Sequence, residues 1–313
     1  MSKYSYLLIG GNGFIGTNII HKLLEKEREV SCIDIYDSNT KNIDNENFKS
    51  YINDLSDVEL VKNLLEQMDV IIYLASNSYV RDSANDSLIE LDNIENFINF
   101  LEIIKNYPNK KIILASSGGT VYGEPKKPLV DEDHCLMPIS PYGIGKVAME
   151  NYLKFYNSKY GIKYNICRYS NPYGWYQNPL SGVGVINKVL HDYYTNSVTE
   201  IIANPEASVR DYIYISDLVD ATLAVAENRH AENNVFNVGS GTGNSLKHIL
   251  HEIELILDDK LIFKKEKFGV ENVSRIVLDI SKINKIVGWS PKITLNEGII
   301  LNKKWIKFYL ADK

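Results

Sequence analysis

Cysteine is scarce in this chain. Cys32, Cys135 and Cys167 are the only three among 313 residues, far apart and without metal-ligand spacing. That argues against a disulfide framework and against a metal site, and it fits a reducing, cytoplasmic setting. Long apolar runs are missing too. No stretch approaches ~20 residues, so no membrane insertion is expected, and residues 1–5 lead into a strand-like run without the pattern of a signal peptide. Positive charge is not in excess: 34 Lys and Arg against 40 Asp and Glu leave a net charge of −6. This speaks against a nucleic-acid partner, although a few arginines can still hold an anionic small molecule. No internal repeat or low-complexity tract occurs. What is present, 44% hydrophobic and 24% charged residues, is the make-up of a globular chain, long enough for one large domain with a smaller lobe.

Short apolar runs alternate with amphipathic segments through the first half. Residues 6–9, 30–35, 51–52, 70–74, 111–115 and 164–167 read as strands, and 13–28, 56–67, 86–105 and 141–160 as helices between them. That rhythm predicts an α/β fold, a doubly wound parallel Rossmann sheet with right-handed crossovers. After Ser170 it breaks. Residues 171–184 form a loop rich in Pro, Gly and Asn, and the remainder mixes short strands with helices, the last at 295–309. The expected division is a Rossmann domain over 1–170, joined by a strand and helix returning from about 212–238, and a smaller α/β substrate-binding lobe over 171–313.

The loop Gly10-Gly11-Asn12-Gly13-Phe14-Ile15-Gly16 joins the first strand to the first helix. Gly10, Gly13 and Gly16 meet three needs: a tight turn, a backbone that approaches a pyrophosphate without Cβ atoms in the way, and close helix–strand packing. Strand before and helix after make this a dinucleotide site. Asp34 ends the second strand, where a carboxylate accepts from ribose hydroxyls and repels a 2′-phosphate, favouring NAD over NADP. Asp54 and Leu55 follow the third strand. Asp54 is read either as a partner of the adenine amino group or as a helix N-cap.

A Tyr four residues before a Lys occurs at Tyr107/Lys111, Tyr122/Lys126, Tyr142/Lys146 and Tyr309/Lys313. Pro108 and Pro125 interrupt the first two, and the last lies at the chain end. Only Tyr142 and Lys146 share one face at the start of a long helix. Free tyrosine, with a pKa near ~10, is too weakly ionised to act as a base at neutral pH; a cation one turn away favours the phenolate, and an oxidised nicotinamide would help further.

These residues resemble the extended short-chain dehydrogenase/reductase superfamily, and within it the nucleotide-sugar 4-epimerases similar to UDP-glucose 4-epimerase. The resemblance runs through residues 10–16, Tyr73-Leu74-Ala75-Ser76, residues 116–123, Ser140-Pro141-Tyr142-Gly143-Ile144-Gly145-Lys146, residues 168–174, Arg210-Asp211-Tyr212-Ile213 and Asn237-Val238-Gly239-Ser240-Gly241. It implies that Tyr142 is the base and Lys146 its activator and nicotinamide-ribose ligand. It also implies that Leu74, Ala75 and Asn93 line the cofactor, with Phe14 and Ile15 beside the glycines, and that Asn171 and Arg210 grip the diphosphate, as a guanidinium fork suits. Where relatives carry a Ser or Thr this chain has Gly118, which leaves Ser117 and Thr120 as the hydroxyl that assists, Ser117 preferred. A Gly-Asp-Gly turn before the arginine is replaced by Asn204-Pro205-Glu206-Ala207-Ser208. Lys267 and Arg275 are the options for a second diphosphate ligand, and Ile276 aligns with a pocket-wall position.

The implied reaction is inversion at C4 of a nucleotide-diphosphate hexose through a transient 4-ketone, with NAD retained. A 4-reductase needs the same Tyr and Lys. A 4,6-dehydratase needs further acid–base groups, absent at Gly118-Gly119. A non-catalytic NAD-binding sensor is the alternative from another class. Relatives pair as homodimers through a four-helix bundle, for which Phe97, Phe100 and Leu101 are read either as outward residues or as ordinary core.

Overall fold

In the computed structural model, residues 4–201, 208–265 and 273–311 are described. The chain runs β1 (Tyr6–Ile9), α1 (Phe14–Glu25), β2 (Val30–Asp34), β3 (Phe48–Ile52), α2 (Val58–Gln67), β4 (Val70–Tyr73), α3 (Val80–Asn85), α4 (Ile89–Ile104), β5 (Lys111–Ser117), α5 (Pro141–Tyr160) and β6 (Lys163–Tyr169). It continues through β7 (Asn171–Tyr173), α6 (Val185–Tyr194), β8 (Thr199–Ile201), β9 (Val209–Tyr214), α7 (Ile215–Glu227) and β10 (Asn234–Val238). The last elements are β11 (Gly243–Ser245), α8 (Leu246–Leu257), β12 (Phe263–Lys265), β13 (Arg275–Ile276), α9 (Ser281–Val287) and α10 (Leu295–Ala311).

Seven strands form one sheet in the order β10-β6-β5-β4-β1-β2-β3, every adjacent pair parallel. Its inner strands are apolar because both faces are covered. From β1, Tyr6 and Leu8 pack with Ile19, Ile20 and Leu23 of α1 and Leu218 of α7. Leu7 and Ile9 face the other way, into a layer with Leu64 of α2, Phe97 of α4 and Leu153 of α5. Phe97, Phe100 and Leu101 are therefore core. Phe97 sets its ring 4.8 Å from that of Tyr73, edge to face, and the outward reading of these three is corrected.

The long helix expected over about 86–105 is α4, with the short α3 before it. Two further expectations change. The strand near Tyr212 does not join the large sheet. β9 pairs with β7, β11 and β13 in a small sheet, and it is α7 and then β10 that return. The loop at 171–184 contains β7, which runs parallel to β9 with Asn171 opposite Tyr212. No described helix is long and apolar enough to cross a membrane.

Candidate active site

A cavity of about 950 Å³ opens where β1, β4, β5 and β6 end, the place where parallel α/β sheets hold ligands. One end is lined by Gly10, Gly13, Phe14, Ile15, Gly16, Asp34, Asp54, Leu55, Leu74, Ala75 and Asn93, and the other by Ser117, Thr120, Tyr142, Lys146, Asn171 and Arg210. The fold thus brings these residues, singled out for cofactor and substrate, to one cavity.

The first end fits a dinucleotide. Gly10 has φ +77°, and a Cβ there would lie 2.7 Å from the backbone of Ala75, so β1 and the turn after β4 approach as closely as they do only with glycine. A Cβ at Gly16 would sit 2.4 Å from the Gly11 carbonyl oxygen, whereas one at Gly13 would meet nothing nearer than 3.7 Å, leaving open space over the helix start. Gly13 caps α1 without a side-chain hydrogen bond, and the first turn has no acidic residue. Its N–H groups and positive dipole end are thus left for a phosphate. Asp34 accepts from the N–H groups of Asn12 (2.9 Å) and Tyr36 (3.2 Å), which keeps lone pairs for hydroxyl donors. The N-cap of α2 is Asp57, which accepts from Leu60 N–H, so Asp54 is not that cap.

At the other end, Ser140 accepts from Gly143 N–H and Pro141 takes the first turn of α5, a start that fixes where Tyr142 and Lys146 project. Ser83 of α3 accepts from Tyr142 N–H at 3.1 Å. The Lys146 Nζ lies over the Tyr142 ring, 5.5 Å from its centre, and donates to the Ala115 carbonyl at 3.3 Å. Burial pushes the phenol well above its ordinary value, and Glu90 and Tyr79 add to this. Burial pushes Lys146 down to about 8, against the opposing pull of Glu90 and Glu150. Burial thus acts against the phenolate and against the ammonium alike, and the ammonium is set over the ring face.

A Cβ at Gly118 would lie 2.6 Å from Leu278 Cδ1, so a side chain there would have to displace Leu278; one at Gly119 would lie 4.0 Å from both the Asn171 amide and Ser117 Oγ. Ser117 and Asn171 thus face one common space. Asn171 is held by its Nδ2 donating to the Asp211 carbonyl at 3.0 Å. Arg210 spends three of its five donors on the carbonyls of Val209, Val273 and Ser274, leaving Nε–H and one Nη2–H for another acceptor. Below it, the Asp211 carboxylate accepts from Ser240 N–H and Oγ–H, Gly241 N–H and Leu278 N–H. Ile276 does not wall the cavity; it is 2% exposed and packs in a small core with Tyr122 and Leu278. Arg275 is not among the lining residues. Lys267 and residues 204–207 lie outside the described residues.

Several residues of the site escaped the sequence reading. Asn12 is 1% exposed and donates to the Tyr36 carbonyl while accepting from Thr40, tying the glycine loop to the turn after β2. Glu90, 5% exposed, accepts from Ser78 Oγ–H and Asn93 Nδ2–H. Arg168, 2% exposed, grips Glu150 with two prongs of 3.0 and 2.7 Å. The available signal was a charged residue on the apolar stripe of a helix, visible at Glu90 and Glu150 only once the stripe's direction is known.

Comparison with known proteins agrees with this geometry. A family model described as GDP-mannose 4,6 dehydratase matches residues 7–301. A putative UDP-glucose 4-epimerase of Methanocaldococcus jannaschii is 36% identical over 305 residues, covering 96% of this chain and 98% of that protein. A dTDP-4-dehydro-6-deoxyglucose reductase of Escherichia coli is 35% identical over 307 residues, covering 95% and 96%. The crystal structure of the UDP-glucose 4-epimerase of Thermus thermophilus in complex with NAD superposes with a TM-score of 0.88 at 28% identity, covering 97% of this chain and 99% of that one. The chain belongs to the GDP-mannose 4,6 dehydratase family as that model defines it and, within the extended short-chain dehydrogenase/reductase superfamily, to the NAD-dependent nucleotide-sugar epimerase branch.

Proposed function

We propose that this enzyme inverts C4 of a nucleotide-diphosphate hexose, a UDP-hexose above all, through a transient 4-ketone, in surface polysaccharide or sugar-nucleotide metabolism. The observation that carries the reading is the meeting of Tyr142, Lys146 and Ser117 at the far end of the cavity that begins in the glycine cradle. NAD supplies a reversible hydride acceptor at C4. Tyr142 takes the proton of the 4-hydroxyl, Lys146 steadies the resulting charge distribution and reaches the cofactor's ribose, and the Ser117 hydroxyl, with Thr120 beside it, donates to the reacting oxygen. Asn171 and the two remaining donors of Arg210 hold the diphosphate, so the hexose can turn over while its anchor stays fixed. The names of the similar epimerases support C4 and the UDP group.

A second reading, 4-ketone reduction, is favoured by the similar Escherichia coli reductase, whose chemistry would use the same tyrosine and lysine. Dehydration is not favoured, because residues 118 and 119 carry no ionisable group. The test is to incubate the protein with UDP-, GDP-, CDP- and dTDP-hexoses and separate the products. We expect inversion at C4 with no change of mass; loss of one water or net consumption of NADH would replace this reading.

We also infer that two copies pair through α4 and α5. Leu91 on α4 and Ile144, Tyr152 and Phe155 on α5 are exposed apolar residues on two helices that pack together. Ile144→Asp should convert a dimer to a monomer in light scattering, since a buried unpaired carboxylate is costly. A wild-type protein that is already monomeric would end this inference.

A further inference from the structure

The direction of the Arg210 guanidinium is set by backbone carbonyls. Two of them belong to the segment that runs into β13: Nη2 donates to the Val273 carbonyl at 2.6 Å, and Nη1 to the Ser274 carbonyl at 3.2 Å. The Ser274 carbonyl also accepts from Val209 N–H at 2.9 Å. Where these carbonyls stand decides where the two remaining donors of Arg210 point. β13 has only two residues, and so short a strand takes its shape from its partners rather than from a local preference. The segment therefore needs ties from elsewhere in the fold.

The chain that follows β5 supplies them. Val130 N–H donates to the Val277 carbonyl at 2.9 Å, and Asp279 N–H to the Val130 carbonyl at 2.8 Å. Nearer the guanidinium, Glu124 grips Ser274 with both oxygens. Oε2 accepts from Ser274 N–H at 2.6 Å, and Oε1 accepts from the Ser274 hydroxyl. Gly123, just before it, has φ +68°, and a Cβ there would run into the Met137 carbonyl, so the turn that presents Glu124 needs glycine. Contacts thus pass in series from Glu124 to Ser274, from the Val273 and Ser274 carbonyls to Arg210, and from Arg210 to the cavity it lines with Val273. Glu124 itself is exposed, and β13 keeps its pairing with β9 without it.

We propose that Glu124 is a positioning residue for the substrate's diphosphate: it fixes Ser274 and, through the Val273 and Ser274 carbonyls, directs the Arg210 guanidinium into the cavity. The rival account is that Glu124 acts by its charge alone, and the two differ in sign. A carboxylate that shares Ser274 with the arginine repels a diphosphate, so removing the charge alone would tighten binding. Removing a clamp weakens binding, because the guanidinium must then be ordered at the moment the diphosphate arrives.

This inference rests on Arg210 holding the diphosphate, and its test reads binding, so it does not depend on turnover. UDP, dTDP, GDP and CDP are titrated by calorimetry into NAD-loaded wild type, and the tightest of the four is carried through the variants. Glu124→Ala should weaken it about tenfold, the size of one hydrogen bond to a charged group, with NAD affinity and melting temperature close to wild type. Arg210→Met should weaken it further. In the Arg210→Met protein Glu124→Ala should add nothing, because the two act in series, whereas a merely structural loss would appear in both backgrounds. In turnover the Glu124→Ala loss should fall on KM rather than on kcat. Unchanged or tighter binding by Glu124→Ala overturns the proposal, and so does a full tenfold effect beside Arg210→Met. Should Glu124→Ala not fold, Ser274→Ala decides: it removes the hydroxyl half of the grip and should weaken binding about threefold, and no weakening would refute the clamp. Arg210→Met binding as tightly as wild type, or a wild type that binds none of the four, would instead end the diphosphate reading of Arg210 and the proposal with it.

Discussion

Replacing Tyr142 with Phe should lower kcat by about 10³-fold, within the range that a positioned acid–base group supplies, while NAD binding stays close to wild type. The substitution removes one hydroxyl and keeps the ring that Lys146 overlies. The Phe ring fills the same volume, and the Tyr142 backbone bond to Ser83 survives. Stability should therefore change by less than ~1 kcal/mol, so lost activity cannot be blamed on unfolding. Steady-state kinetics on the epimerised product, with NAD affinity from titration calorimetry, separate the outcomes. A variant that keeps a tenth or more of wild-type activity would remove Tyr142 from the reaction, and a protein that serves only as an NAD sensor would be indifferent.

Arg168→Met should cost about 3–5 kcal/mol of folding stability, a large part of the ~5–15 kcal/mol a domain has. Arg168 heads the fully buried side chains and joins four pieces of the fold. From β6 it reaches Glu150 on α5, Tyr122 Oη at 2.9 Å and the Glu132 carbonyl at 3.2 Å. Glu150 also accepts from Ser116 Oγ–H of β5 at 2.6 Å, and Tyr122 donates to Asn237 of β10 at 2.6 Å. Methionine fills part of the volume but leaves the buried Glu150 carboxylate with only the half-exposed Lys154, 3.7 Å away, and Ser116 as partners, which is the expensive outcome. Replacing Glu150 by Met as well should recover most of the loss, because an apolar pair removes the orphaned charge. Urea unfolding of the two variants checks both numbers. A single variant within ~1 kcal/mol of wild type would mean that water reaches Glu150 and that this network does not hold α5 to the sheet.

The central sheet was legible because its strands are covered on both faces and therefore read as unbroken apolar runs, as in residues 6–9 and 70–73. The glycine cradle was legible because its spacing reflects close approaches, such as Gly10 to Ala75. The small sheet was not. β11 and β13 have three and two residues, and such strands exist through their pairing with β9, not through a local preference. The orientation of α4 stayed open for a similar reason. Both its faces carry large apolar residues, and only the ring of Tyr73 across the layer shows that Phe97 points inward and Leu91 outward. The protonation balance at Tyr142 was hidden because Glu90 lies on a different helix, and a charge 52 positions away in sequence leaves no spacing signal.

Reversible oxidation at C4 is the claim on which the account depends, and deuterium placed at C4 of a UDP-hexose tests it most directly, with the protein's NAD retained and unlabelled NADH in the medium. The account predicts a C4-inverted product of unchanged mass that still carries its deuterium at C4. Label lost to the medium, or product formed only as NADH is consumed, would contradict it.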